Sequence, residues 1–130
     1  NDLLFVFSAI ALAGRISVLD KDLRLVHQRR NNKDSLSNTR EKSWDCFYKA
    51  LIALRECLVK NGLYEEMEQD YINYALHFSL WNLNSLAEPT YSKLKDILAN
   101  EWYDELGVSD KKASYFYNKK EYEQYEKLFK

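Results

Sequence analysis

The chain has 130 residues, a length that suits one domain. It is 46% hydrophobic and 30% charged, so it can bury a core, and its formal net charge of -1 excludes a general attraction to nucleic acid or anionic lipid. With only three glycines and one proline, the composition disfavours a turn-rich β-sandwich and favours helices.

The first segment is an uncharged apolar run, residues 3 to 13, preceded by Asn1-Asp2. Asn1 can cap a helix at this point, and an acid in the first turn, such as Asp2, is favoured by the helix dipole. Apolar residues surround the predicted helix, so we expect it to be buried and to end at Gly14. The run is shorter than the roughly 20 residues of a spanning helix, and its flanks do not match those of a signal peptide.

Residues 15 to 42 predict a short extended region followed by a loop. Alternating apolar residues predict an extended or β segment near residues 16 to 28. The stretch from residue 29 to 42 is polar, basic and rich in Asn and Ser, which indicates a loop. Its basic side chains, beginning with Arg29 and Arg30, either keep an exposed loop soluble or contact phosphate groups, to which Arg binds bidentately.

The second half of the chain has helical periodicity. Ser43 is a suitable N-cap for a helix that ends at Asn61-Gly62, and a second helix starts near Leu63. The short junction predicts an antiparallel helical hairpin. The apolar stripe predicted for the second helix comprises Tyr64, Met67, Tyr71, Ala75, Phe78 and Trp81.

Two further helices complete the predicted fold. Pro89 suits the first position of a third helix, which Gly107 closes. A short tail helix carries Tyr122, Tyr125 and Phe129 on one side, and its Tyr and Lys content would also suit a membrane surface. The predicted fold class is therefore mainly α: an antiparallel helical hairpin plus additional helices, with a short extended segment near residues 16 to 28.

Two groups of residues raise the question of metal binding. Asp20-Lys21-Asp22 could hold a divalent metal against a diphosphate, although a solvated turn between two strands is the simpler interpretation. His27 and His77 fall in different predicted elements and lack ligand spacing to any cysteine or acid cluster. We expect His77 to be packed within its helix stripe, and we predict no metal site.

The two cysteines, Cys46 and Cys57, fall on one predicted helix. At that spacing their Cα atoms would be about 16 Å apart, which exceeds the reach of a disulfide. Free thiols are therefore expected, and they point to a reducing, cytosolic location.

The order of several motifs resembles the closing part of a bacterial family-2 glycosyltransferase with a GT-A fold, of the type that makes surface or capsular polysaccharide. Asn1-Asp2 and the aromatic-rich LLFVFSAIALA are followed by RISVLD, then LVHQR, then DSLS. Members of that family typically have Glu-Asp or Asn-Asp before an aromatic helix, then an extended segment and a loop ending in Ser-Leu-Ser. The resemblance continues through the helical C-terminal extension of that group, in SWDCFYKALIALRECLVKNGLYEE, NYALHFSLWNLNSL and SYFYNKKEYEQY, so it spans nearly the whole chain.

The resemblance implies roles for three residues. In that family the Asp of the Asn-Asp or Glu-Asp pair is the general base that deprotonates the acceptor hydroxyl, so Asp2 would be catalytic here. From the sequence alone, Asp2 could also be only a first-turn acid. Arg29 and Arg30 would contact the donor diphosphate or the acceptor, although Gln28 stands where the family has Tyr. The family's metal-binding acids precede the base, so the later Asp-Lys-Asp motif is not expected to bind metal.

The resemblance also implies what the chain would need in order to act. Residues 1–42 would be a remnant of the end of the GT-A catalytic domain, and residues 43–130 its helical C-terminal extension. The nucleotide-binding half is missing, so the fragment itself is expected to be inactive and to hold no cofactor. The full-length enzyme would use a divalent metal, Mg or Mn, with a nucleotide-sugar donor.

The expected partners and location follow from the same comparison. Partners would be the missing N-terminal nucleotide-binding domain, a saccharide acceptor and a second copy bound through the apolar first helix, with no nucleic acid. The location would be cytoplasmic, with a peripheral position at the inner face of the membrane. The alternative from another class is a non-catalytic helical protein-interaction module, whose apolar first helix and aromatic tail bind a partner protein.

Overall fold

The computed structural model describes residues 2–18 and 40–130, and this part of the chain is mainly helical, as the composition predicts. The α-helices are, in chain order, α1 Asp2–Leu12, α2 Cys46–Lys60, α3 Tyr64–Leu83, α4 Thr90–Ile97, α5 Tyr103–Glu105 and α6 Lys119–Phe129. Two short 3-10 turns, Arg40–Lys42 and Ala113–Tyr115, precede α2 and α6. A π-helical turn, Leu98–Trp102, connects α4 to α5.

The extended segment predicted near residues 16 to 28 is not a strand where the structure describes it. Residues 15–18 are irregular, and both Ile16 and Val18 are exposed. Neither is paired with a neighbouring strand in the described chain, so the alternating pattern produces no sheet there. The remainder of the predicted segment, residues 19–28, lies outside the described residues.

The junction between α2 and α3 forms where the sequence predicts it. α2 ends at Lys60, and Gly62 adopts a φ of 69°, in the left-handed region that glycine enters without strain. The amide of Leu63 donates to the carbonyl of Leu58 at 2.9 Å, which satisfies a carbonyl at the end of the helix. The short turn brings α3 directly alongside α2.

Contacts between α2 and α3 continue away from the turn, and two of them illustrate this. The hydroxyl of Tyr71 donates to the backbone carbonyl of Leu51 at 3.1 Å. Farther along, the rings of Phe47 and Phe78 meet edge to face with centroids 6.0 Å apart. The start of α2 is less regular than predicted: Ser43 does not cap it, because residues 40–42 form a separate 3-10 turn and α2 begins only at Cys46.

α3 is the central helix of the described fold. It packs against α2, α4 and α6, so it is buried over a broad face instead of a narrow stripe. The predicted stripe is partly wrong: Tyr71 and Ala75 are buried, but Trp81 is exposed because the neighbouring helices cover the side next to it. The buried residues of α3 are Tyr71, Ile72, Ala75, Leu76, Ser79, Leu80 and Leu83.

The helical stretch from α4 to α5 supplies the second wall of the core. α4 begins at Thr90, directly after Pro89, one residue later than predicted. Leu98 and Trp102, at the two ends of the π turn, are both buried. Gly107 follows α5 with a φ of 76°, and a Cβ at this position would lie 3.3 Å from Cδ1 of Ile72, so glycine meets both a backbone and a packing requirement.

The tail helix α6 closes the core with the aromatic side predicted for it. Tyr122 and Tyr125 are buried, and Phe129 packs against them. The ring of Tyr125 meets Tyr103 edge to face at 5.1 Å. At its start, the side chain of Asn118 accepts hydrogen bonds from two amides of the first turn, which is the usual role of an N-cap. The aromatic side of the tail therefore belongs to the core.

A strap, residues 111–118, holds α6 against the polar side of α3. The backbone carbonyl of Tyr115 accepts from the amides of Gln69, at 2.9 Å, and Asn73, at 3.1 Å. The backbone amide of Tyr117 donates to the side-chain oxygen of Asn73 at 2.7 Å. The hydroxyl of Tyr115 donates to Glu68 at 2.9 Å. These bonds fix the path of the chain between α5 and α6.

Truncating a core side chain of α2 tests this architecture. Leu51 is fully buried between α2 and α3, so Leu51→Ala is expected to lower the free energy of unfolding by about 2–5 kcal/mol, through lost burial and a new cavity. The control Val59→Ala, on the exposed side of the same helix, should change it by less than about 0.5 kcal/mol. Urea unfolding followed by circular dichroism measures both, and equal small effects would contradict the proposed core.

Candidate functional site

The residues that the sequence assigns to a site are only partly covered by the structure. Asp2 is the first residue of α1, as the helix prediction requires. Asn1, its predicted cap, lies outside the described residues, and so do Arg29, Arg30 and the Asp-Lys-Asp motif. The described residues therefore do not bring the three predicted site residues together.

α1 is exposed along one side, which corrects the expectation of a buried helix. Leu3 is buried, but the side chains of Phe5 and Ile10 remain 75% and 51% exposed. The reason is geometric: α1 contacts α2 and α3 with one side only, and no described residue covers the other. We call this exposed side the outer face of α1; it comprises Phe5, Val6, Ala9, Ile10 and Leu12.

An aromatic contact anchors α1 to α3, and a groove runs along the edge of the outer face of α1. The ring of Phe7 lies 4.6 Å from that of Tyr74 on α3. Between α1 and α2 runs an open, mainly apolar groove of about 760 Å³. Its polar members are the Ser8 hydroxyl and Lys49, which pairs with Asp45 at 2.6 Å. The lining residues are Leu4, Phe5, Ser8, Ala9, Cys46, Lys49, Ala50 and Ala53.

An aromatic cluster lies where α2 meets the π turn. The ring of Trp102 stacks on Tyr48 at 3.9 Å, and it also stacks on Trp44 at 5.8 Å. The ammonium group of Lys93 lies 4.5 Å from the centroid of Trp44, within the range of a cation–π contact. Trp102 is thereby held between two rings, and the first turn of α2 is fixed against the end of α4.

The polar edge of this cluster ties α2 to the end of α5. The hydroxyl of Tyr48 donates to the carboxylate of Glu105, and the guanidinium of Arg55 donates to the backbone carbonyl of the same residue. Burial, followed by this hydrogen bond and the nearby negative charge, raises the pKa of Tyr48 to about 12. The sequence contains no signal for this group, because Tyr48 and Glu105 are 57 positions apart.

Arg40, the first described residue of the basic stretch, packs on an aromatic side chain. The guanidinium carbon of Arg40 lies 3.9 Å from the centroid of Trp81, whose ring also stacks on Phe78 at 5.6 Å. Glu41 accepts from the backbone amide of Ala87 at 2.9 Å, and this bond lowers the pKa of its carboxyl group. Of the basic residues in the predicted loop, Arg40 therefore contributes to packing.

The histidine and cysteine positions do not form a metal site in the described part of the chain. His77 is exposed and lies 2.8 Å from Glu121, which corrects the expectation that it is packed in the stripe. Both cysteines lie in α2 and are free. Within residues 2–18 and 40–130, no group of three or more His, Cys, Asp or Glu side chains is arranged to hold a metal ion.

No family model, curated protein or solved structure matches this chain. Among the described helices, none is both long enough and apolar enough to cross a bilayer.

The raised pKa of Tyr48 predicts a loss of stability at alkaline pH. Because its folded pKa lies above the ordinary value near 10, its contribution is complete below pH 10 and is lost as pH rises toward 12. Tyr48→Phe keeps the ring on Trp102 but removes the hydrogen bond to Glu105. The difference in melting temperature between wild type and Tyr48→Phe should therefore be larger at pH 8 than at pH 11.5.

Tyr91→Phe, on α4, is the control, because it removes a tyrosine hydroxyl at another position. Thermal unfolding of the three proteins, followed by circular dichroism at both pH values, measures the effect. A difference between wild type and Tyr48→Phe that does not change with pH would refute the role assigned to this hydroxyl.

Proposed function

We propose that this chain is the C-terminal, largely helical part of an inverting glycosyltransferase. The whole enzyme would transfer a sugar from a nucleotide-sugar donor to a hydroxyl of a polysaccharide acceptor. The observation that carries the proposal is the position of Asp2 at the start of a helix whose outer face is apolar and exposed. This agrees with the resemblance, in which an aspartate precedes an apolar helix that belongs to a larger catalytic domain.

The start of a helix suits the role proposed for Asp2. The partial positive charge of the helix N-terminus favours the ionised carboxylate near neutral pH, and a general base must be ionised. Asp2 would accept the proton of the acceptor hydroxyl while that oxygen attacks the anomeric carbon of the donor. The bond to the nucleotide diphosphate breaks in the same displacement, so the configuration at that carbon inverts. Positioning of the two sugars would supply much of the rate.

The outer face of α1 would pack against the nucleotide-binding half of the enzyme. A helix that is apolar on all sides is stable when it is covered on all sides, and the helical bundle covers only one. The donor and its divalent metal, Mg or Mn, would be held by that half, and Arg29 and Arg30 would approach the donor diphosphate or the acceptor. In this proposal the chain alone turns over no nucleotide sugar.

The remaining helices would form the C-terminal extension. Residues 1–42 would belong to the catalytic domain and residues 43–130 to the extension, with α2 and α3 as an antiparallel hairpin at its centre. α1 contacts α2 directly, so the extension supports the helix that carries Asp2. It would thereby serve the acceptor side of the enzyme, in the cytoplasm at the inner face of the membrane.

The exposed outer face also favours a second candidate, a non-catalytic module that binds a partner protein. Apolar patches of this kind are typical of protein interfaces. α6 contributes little to this alternative, because its aromatic side is buried. The coding sequence upstream of Asn1 separates the two candidates: a nucleotide-binding half with an acidic metal motif supports the enzyme, whereas an initiator codon directly before Asn1 supports the module.

Asp2→Asn in the full-length protein tests the catalytic role. We expect kcat to fall by about 10²–10⁴-fold, because the amide cannot accept the proton, while donor affinity stays unchanged. The measurement is release of the nucleotide diphosphate, with donor affinity measured separately by calorimetry.

The matched control is Asp110→Asn, which changes an exposed acid far from α1 in the chain and should leave kcat unchanged. Full activity of the Asp2→Asn enzyme would exclude Asp2 as the base. Turnover by the isolated 130-residue chain would exclude the requirement for a nucleotide-binding half.

A further inference from the structure

The outer face of α1 is a large surface without charge. The sequence contains no charged residue between Asp2 and Arg15. From the exposed fractions of its side chains, the face presents on the order of 500 Å² of apolar surface per chain. A patch of that size is often functional.

The shape of this face suits a second helix. The large side chains of Phe5, Ile10 and Leu12 alternate with the small Ala9, which gives the ridges and gaps that helices use to pack together. The groove between α1 and α2 lies directly beside Phe5 and adds depth for an incoming side chain. A partner that matches this surface is an uncharged apolar helix of about the same length.

The charges that flank α1 favour a second copy of the same helix. Asp2 stands at its N-terminal end, and Arg15 follows its C-terminal end. In an antiparallel pair related by a twofold axis, each Asp2 comes opposite the partner's Arg15, and the two helix dipoles also oppose each other favourably. A parallel pair would instead place like charges together at both ends.

We propose that two copies of this chain associate through α1, antiparallel across a twofold axis, each covering the outer face of the other. Phe5 then lies opposite the partner's Leu12, which enters the groove between α1 and α2. Complete burial of two such faces would remove about 1,000 Å² in total, less than the roughly 1,200 Å² of a stable interface, so a weak association in the micromolar range is expected. The inference does not rest on the proposed function; the nucleotide-binding half would compete with the second copy for the same face.

Sedimentation equilibrium of the 130-residue chain, from about 1 to 100 µM, tests the association. Wild type should pass from one chain to two across this range. Ile10→Glu places a charge in the centre of the contact and should raise the dissociation constant by at least about tenfold. Val59→Glu is the matched control, because Val59 is an equally exposed apolar residue on α2, and this variant should dimerise like wild type. Circular dichroism verifies that all proteins keep their helices.

A charge exchange tests the antiparallel direction. Asp2→Arg and Arg15→Asp should each weaken the dimer several-fold, because each places like charges at both ends of the pair. The double variant restores opposite charges and should recover most of the wild-type affinity. Single variants that dimerise as tightly as wild type, or a double variant no tighter than the single ones, would overturn the antiparallel arrangement.

Three results would overturn the proposal as a whole. A monomer at all concentrations would do so, and so would a dimer that Ile10→Glu leaves intact. A monomer that binds lipid vesicles through α1, with binding lost in Ile10→Glu, would assign the face to a lipid surface instead. None of these results depends on sugar transfer, so they are distinguishable from a failure of the proposed enzymatic function.

Discussion

Burial of α3 on several sides is the constraint on which the rest of the fold depends. α2 reaches it through a turn of three residues, and α4 and α6 close over its remaining apolar surface. α1 packs on α2 and reaches α3 through Phe7 and Tyr74, and among the described residues it is covered on one side only. The described helices that enclose α3 therefore leave an apolar face of α1 exposed, and both functional proposals start from this face.

The local sequence predicts where the helices end better than it predicts which of their faces are buried. Gly62 and Gly107 lie where the sequence places helix ends, because a left-handed residue is a local backbone requirement. The buried side of α3 is predicted less well. The aromatic residues of this helix stand out in the sequence, but most of its buried residues are smaller and aliphatic. Large aromatic residues indicate where a helix has apolar surface, but which part of that surface is buried depends on helices that are distant in sequence.

The candidate site shows the same division between local and distant information. A helix starting at Asp2 and its need for a partner surface follow from the apolar run, whereas the side of that helix that α2 and α3 cover does not, since hydrophobicity specifies a need for cover and not its source. The contact of Tyr48 with Glu105 and that of Arg40 with Trp81 join common residue types across long stretches of chain, so no spacing in the sequence announces them. The nucleotide-binding half and a second copy of the chain would occupy the same face of α1. Association between copies would therefore compete with assembly of a catalytic domain.

The strap between α5 and α6 has a consequence for which sequence changes the protein can accept. Asn73 donates to one backbone group of the strap and accepts from another, much as a neighbouring β-strand would, and Gln69 adds a third bond to backbone. Main-chain atoms of the strap thus meet side chains of α3, and the hydroxyls of Tyr115 and Tyr117 add bonds to Glu68 and Asp70 of the same helix. Substitutions should therefore be tolerated unequally: the exposed Ala113 and Ser114 of the strap are open to variation, while an amide is needed at position 73 on α3.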